Sequence, residues 1–230
     1  MKRILAVLVI GLIVVSCDTK TEQTMTVSGN IKGLKKGTLF LQNFKDSTLV
    51  SLDSLEISGD GSFEFSQELE HPEIFYLYLD KKDNNNINDR ITFFGEPGEI
   101  TIRTSWNTFD IEPEIYGSKS QEKLEEFNNM MSKFSIRELE LLQLTTQPEF
   151  QGDSLKLDSI QRLVNHNTVG SYRYALNFGL TNSSSYVTPY AMLNVSDRAN
   201  PKYLDSIYKA LAPEVAESKY GKALKNYLSK

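Results

Sequence analysis

The hydrophobic period of this chain changes once, at Gly117, and the change divides it into two kinds of structure. Before it, apolar side chains recur at every second position, as in Met25 and Val27, Phe63 and Phe65, and Ile100 and Ile102. That spacing belongs to strands with one buried face. After it, Leu124, Phe127, Met131 and Phe134 recur at helical spacing. Strands followed by helices, rather than alternating with them, predict an α+β fold. The expectation is an antiparallel β-sandwich or partly open barrel over residues 24–116, followed by a helical region over residues 117–230.

Turn residues subdivide the first part. Gly29-Asn30 and the glycines at 33 and 37 punctuate the start of a meander, and residues 39–44 read as its second strand. In the third, Val50 and Leu52 are apolar at even positions, and Leu55 and Ile57 at odd ones, so a bulge is expected near Asp53-Ser54. Ser58-Gly59-Asp60-Gly61 reads as a hairpin turn. Residues 74–79, Ile-Phe-Tyr-Leu-Tyr-Leu, are apolar on both faces, which predicts a strand covered on two sides, one of them by the helices. Glu96-Pro97-Gly98 is a turn between two more strands, and Phe109, Ile111 and Ile115 close the region. Seven or eight short strands follow.

In the second part Ser118 and Gln121 have the spacing of a capping box opening a helix over about 119–145. Asp153 can cap a second long helix. A short helix is expected near 186–193. Asn200-Pro201 offers a cap and a first-turn proline to another, and a last segment carries Tyr220, Leu224 and Leu228.

The N-terminus is of a different character. Lys2 and Arg3 precede an apolar run over residues 4–15, which ends in Val14-Val15-Ser16-Cys17. As a helix the run would rise about 18 Å, short of a hydrocarbon core of about 30 Å. It therefore reads as a signal peptide, residues 1–16, rather than a membrane span. The small residue before cysteine resembles the lipobox of bacterial lipoproteins. That resemblance implies lipidation of Cys17, cleavage before it, residues 17–23 as a tether, and attachment to a membrane through the lipid. The plainer alternative is a stray cysteine after an apolar segment.

Composition narrows function. The formal net charge is −5, and loss of Lys2 and Arg3 would take it to about −7. With basic residues scattered, nucleic acid is not an expected partner. Cys17 is the only cysteine and His71 and His166 the only histidines. No internal disulfide, thiol exchange or zinc site is expected, and no cofactor.

The order of parts carries a resemblance. It runs from the lipobox to Gly59-Asp60-Gly61-Ser62-Phe63. It continues through Phe93-Phe94-Gly95-Glu96-Pro97-Gly98-Glu99-Ile100, the helices after Gly117-Ser118, Ser185-Tyr186-Val187-Thr188-Pro189-Tyr190 and Ser218-Lys219-Tyr220-Gly221. Together these are similar to the N-terminal domain of unknown function in Bacteroidetes thiol–disulfide oxidoreductase lipoproteins. The resemblance implies a cell-envelope location, at the outer membrane. In that family a thioredoxin-fold domain with a Cys-x-x-Cys pair usually follows. Here the sequence stops at Lys230, and no residue receives the redox role.

Other candidate chemistry is thin. Residues 80–89 look like a calcium loop, but the positions that need Gly and Glu hold Asn88 and Phe94 counted from Asp83, or Asn85 and Ile91 counted from Asp80. A solvated turn explains them better. Neither histidine accompanies a Gly-x-Ser-x-Gly elbow. Glu68, Glu70 and Glu73 crowd one loop, and Asp110, Glu112 and Glu114 are spaced like one strand face. A charged strand edge accounts for the latter better than a glycosidase pair. Tyr172, Tyr174, Tyr186 and Tyr190 are either a partner-binding surface or a core wall with hydroxyls toward water. The functional expectation is a non-catalytic envelope lipoprotein that binds an envelope protein or ligand. The alternative is an enzyme with an unrecognised site, or a redox helper of a separate thioredoxin-fold protein.

Overall fold

The computed structural model describes residues 23–81 and 89–230. The expected signal peptide, Cys17, most of the expected tether and most of the calcium-loop-like stretch lie outside the described residues. Eight strands come first: β1 (Thr24–Lys32), β2 (Lys36–Lys45), β3 (Thr48–Ser58), β4 (Ser62–Glu68), β5 (Glu73–Asp80), β6 (Asp89–Gly95), β7 (Gly98–Ser105) and β8 (Glu114–Tyr116). Six helices follow: α1 (Lys119–Leu144), α2 (Ser154–Thr181), α3 (Val187–Val195), α4 (Pro201–Ala210), α5 (Pro213–Ala216) and α6 (Lys219–Leu228).

The strands form two four-stranded sheets, ordered β4-β1-β7-β8 and β3-β2-β5-β6, with no closed barrel. Pairing is antiparallel except where β1 runs parallel to β7, Val27 beside Ile100. Met25, Val27, Phe63, Phe65, Ile100 and Ile102 from one sheet meet Leu39, Leu41, Phe75, Leu77, Leu79, Ile91 and Phe93 from the other. Alternation puts these on the inner faces of a sandwich. At Gly29 an added Cβ would fall 1.8 Å from the Ile102 carbonyl oxygen, so only glycine lets β1 and β7 approach there.

Two expectations need correction. The Ser58–Gly61 turn does not close a two-stranded ladder. β3 pairs with β2 in one sheet and β4 with β1 in the other, so the turn crosses the sandwich. The cause is the partner chosen by β4: Phe65 and Phe63 lie beside Val27 and Gly29, and the Ile31 N–H donates to the Gly61 carbonyl at 2.9 Å. Asp110 and Glu112 are not on a strand; they belong to the turn between β7 and β8, and only Glu114 is in β8. Phe109 is buried in that turn, and the Thr104 hydroxyl donates to its carbonyl at 3.0 Å, which leaves residues 110–112 outside the ladder. The bulge falls where the face of β3 switches: Leu41 pairs with Asp53 and Gln42 with Ser51, leaving Leu52 extra.

Strand β5 has the two buried faces its sequence predicts. Phe75, Leu77 and Leu79 enter the sandwich core, while Ile74 and Tyr76 join Phe94, Leu124, Phe127, Phe178, Val187, Ala191 and Met192 in a second core under the helices. Helices α1 and α2 pair as an antiparallel hairpin, and its far end has its own small cluster of Leu141, Ile160 and Val164. The caps are as the sequence indicates: Asp153 accepts from Leu155 and Lys156, Asn200 from Lys202, and Ser118 from the Gln121 N–H. Among the described residues no helix is long and apolar enough to cross a membrane.

Candidate functional site

The outer face of the β3-β2-β5-β6 sheet is divided in two. Its upper row, Ile74 and Phe94, lies under the helices. Its lower rows are lined up by register: Gln42, Tyr76 and Thr92, then Phe40, Tyr78 and Arg90.

The helices are fastened along the upper row by specific contacts. Ser118 Oγ donates to the Phe94 carbonyl at 2.9 Å, and the Phe94 N–H donates to Gln121 Oε1 at 2.8 Å. Gln121 therefore does not complete a capping box; its carboxamide serves β6. Glu96 takes over at the helix start, accepting from the Lys119 N–H at 2.5 Å, the Ser120 N–H at 3.2 Å and the Ser120 hydroxyl at 2.5 Å. A carboxylate there also opposes the positive end of the helix dipole. At the other end Lys219, on the first turn of α6, pairs with Glu73 and donates to the Phe44 carbonyl at 2.5 Å. The Ile74 N–H donates to the Tyr220 hydroxyl at 3.2 Å.

The four tyrosines singled out in the sequence are spread over this seam rather than gathered on one patch. Tyr174 packs against Phe127, Phe134 and Phe178, and its hydroxyl donates to the Glu126 carbonyl at 3.3 Å. Tyr186 stacks on His71 with ring centroids 6.0 Å apart. Tyr190 lies 5.1 Å from the Tyr220 ring and 6.2 Å from Phe94. Tyr172 is half-buried on α2. Burial pushes the phenols of Tyr174 and Tyr186 above their ordinary range, with Glu126 and Glu214 adding to it. Tyr220 is pushed up furthest, by burial first.

Below the helices the sheet face stays open and aromatic. Phe40 stacks on Tyr78 at 5.7 Å, and Phe44, 39 % exposed, meets Tyr76 edge-on at 5.7 Å. The Arg90 guanidinium lies 5.4 Å from the Tyr78 ring centroid and 5.9 Å from that of Tyr76. Its Nη2 donates to Gln42 Oε1 at 3.4 Å, while its buried Nε has no hydrogen-bond partner. Among the described residues no ion pair includes Arg90. A buried N–H donor without an acceptor is costly. Sequence reasoning missed this surface. The signal available was the even-numbered set Phe40, Gln42 and Phe44 on a strand whose odd positions, Leu39 and Leu41, already fill the core.

A second concavity, of about 370 Å³, lies where the β2–β3 turn meets α6. Asn43, Glu70, His71, Glu73, Glu217 and Lys219 are in its lining, which among the described residues contains no serine, threonine or cysteine. His166 is exposed on α2. Glu68 and Glu70 are exposed and Glu73 is taken up by Lys219 and Asn43. Among the described residues no group of three or more His, Cys, Asp or Glu side chains is placed to hold a metal ion.

Residues 25–124 match a family described as a domain of unknown function (DUF4369). The matched segment runs from β1 to Leu124 in α1, so it holds the whole sandwich together with the Gln121–Phe94 fastening. It supports membership of this segment in an uncharacterised domain family. No curated protein matches the chain.

Proposed function

We propose that this protein is a non-catalytic lipoprotein of the cell envelope, held at the outer membrane through a lipid on Cys17, and that it acts as a binding module for an envelope protein. The tie to thioredoxin-type oxidoreductases belongs to this proposal. It rests on the sequence resemblance, and it makes a separate thioredoxin-fold protein one specific partner to look for.

The observation that carries the binding reading is the open aromatic face with Arg90 at its edge. Tyrosine, phenylalanine and arginine are the residue types enriched at the centres of protein interfaces. Here they stand on a rigid sheet, so little conformational entropy is lost on binding. A partner would lay an apolar segment over Phe40 and Tyr78 and bring an acceptor to the part-exposed Arg90 guanidinium.

In the test, a photo-crosslinking residue is placed at Thr92, which is exposed on this face, or at Glu64, exposed on β4 of the opposite sheet. The reading requires a discrete adduct in intact cells from position 92 only, lost in Arg90→Ala. Equal capture from both positions, or capture indifferent to Arg90, would defeat it.

The concavity beside His71 favours a second, enzymatic reading, in which His71 or Glu70 activates water. A hydrolytic activity of the purified protein that His71→Ala abolishes at unchanged melting temperature would select it.

A further inference from the structure

Three side chains from distant parts of the chain meet at one carboxylate. Glu73, at the start of β5, accepts from Asn43 Nδ2 at 3.3 Å through Oε1 and pairs with Lys219 Nζ through Oε2. Asn43 belongs to β2 and Lys219 opens α6. The Lys219 ammonium also donates to the carbonyl of Phe44, the residue next to Asn43, at 2.5 Å. Two contacts thus hold the lysine nitrogen beside the carboxamide. All three residues line the concavity of about 370 Å³ where the β2–β3 turn meets α6.

An ion pair that only fastens a helix to a sheet has no use for the third member. Asn43 is 6 % exposed, and its Oδ1 is buried with no hydrogen-bond partner among the described residues. Burying a carboxamide with its oxygen unpaired is costly, and an apolar side chain would fill the place more cheaply. The Lys219 side chain is 34 % exposed and that of Glu73 19 %, and the Tyr220 ring centroid lies 5.7 Å from Nζ. An amine, a carboxamide and a carboxylate in contact with both are the parts of an amide exchange: a nucleophile, an electrophile, and a group that moves protons between them.

We propose that Lys219 and Asn43 join in an isopeptide bond, with Glu73 as the catalytic residue. The Lys219 ammonium gives a proton to the Glu73 carboxylate and becomes a free amine. The Asn43 carboxamide then turns about Cβ–Cγ, which costs Oδ1 no hydrogen bond, and Oδ1 accepts from the protonated Glu73. The amine attacks Cγ, and the new Nζ–Cγ bond makes a tetrahedral carbon. Glu73 carries a proton from Nζ to Nδ2, the Cγ–Nδ2 bond breaks, and ammonia leaves through the open concavity. The departing ammonia takes up the remaining proton as ammonium, so Glu73 ends as a carboxylate. No electrons are gained or lost, and no co-reactant is needed. Within an ion pair the neutral amine is the rare form. An irreversible step taken once per molecule tolerates that, because both reactants are already in place.

The bond ties the sandwich to the helical layer. Lys219 and Phe44 are 175 positions apart, so the bond closes most of the chain into one loop and restricts the unfolded state as a disulfide would, in a sequence whose only cysteine is Cys17. It does not depend on what the aromatic sheet face binds.

The full-length protein in detergent, kept for several days at neutral pH, is digested with trypsin and its peptides are weighed. An amide at Lys219 blocks cleavage there. The expected product is a branched peptide joining residues 37–45 to residues 210–222, lighter than the two linear peptides together by one ammonia. Glu73→Gln and Lys219→Arg should give linear peptides only. Lys219→Arg keeps a positive charge beside Glu73, so it retains the ion pair while forbidding the bond. On a denaturing gel the parent should run ahead of Lys219→Arg, because the closed loop keeps the unfolded chain compact. The proposal is overturned if the parent yields only the linear peptides 37–45 and 210–219. It is equally overturned if Asn43 is recovered as aspartate with Lys219 free, which is attack by water, or if Lys219 is joined to another residue. Branch formation to the same extent in Glu73→Gln, folded as the parent is, or equal migration of the parent and Lys219→Arg, would also defeat it.

Discussion

The carboxamide of Gln121 accepts the backbone N–H of Phe94 at 2.8 Å, so a helical side chain serves β6, which is an edge strand of its sheet among the described residues. Ser118 Oγ takes the other half of the same residue, donating to its carbonyl at 2.9 Å. The first turn of α1 thus closes β6 over Phe94 and leaves no open template for another chain at that residue. Gln121→Ala should strand a buried N–H and cost about 1–3 kcal/mol. Urea unfolding measures it, and amide exchange should locate the loss at Phe94. A loss below about 0.5 kcal/mol would mean that water replaces the carboxamide.

Tyr174 and Tyr190 are each in contact with several aromatic rings of the second core. Replacing either with alanine should lower stability by about 2–4 kcal/mol through lost packing. Thermal melting decides between this and the partner-surface reading of the same residues: unchanged melting temperatures would return them to the surface.

Stability should fall in alkali. Burial, joined by the Glu73 carboxylate and the neighbouring phenols of Tyr190 and Tyr76, holds the Tyr220 phenol well above its ordinary range against the Ile74 hydrogen bond. In the unfolded chain Tyr220 ionises near pH 10. Its contribution is therefore complete below about pH 10 and is lost as pH rises toward the folded value. Tyr220→Phe should flatten that alkaline limb of the unfolding midpoint. At acid pH the sign reverses for Asp60, whose carboxylate is held below its usual range by the Ser62 N–H. Its contribution is present above about pH 4 and is lost as pH falls through the folded value. Asp60→Asn should soften that limb.

What the sequence could tell depends on how far apart the interacting residues are. Ser118, Asp153 and Asn200 were legible as caps because each serves an N–H two or three residues away. Strand β5 was legible because both of its faces are written in consecutive residues. The parallel β1–β7 pairing was not, since nothing local to Val27 indicates Ile100 as its neighbour. Glu96 read as part of a turn, and its role as the cap of α1 needs the return of the chain at Gly117. The aromatic face is the extreme case: Phe40, Tyr78 and Arg90 come from three strands, and only the register of β2, β5 and β6 makes them one surface.

The anchor proposal has its own test. Cys17→Ala should abolish labelling by a palmitate analogue and release the protein from membranes. Continued partitioning into detergent with the parent would refute lipidation.

The most direct test of the central claim is the affinity of the purified partner captured through position 92 for three proteins: the parent, Tyr78→Ala and Tyr174→Ala. Truncating an aromatic anchor at an interface centre costs about 2 kcal/mol or more, a loss of roughly thirtyfold. The account predicts that loss for Tyr78→Ala at an almost unchanged melting temperature. For Tyr174→Ala it predicts a lowered melting temperature and nearly parental affinity at temperatures where the variant is folded. A threefold or smaller change for Tyr78→Ala, or a larger loss for Tyr174→Ala than for Tyr78→Ala, would contradict it.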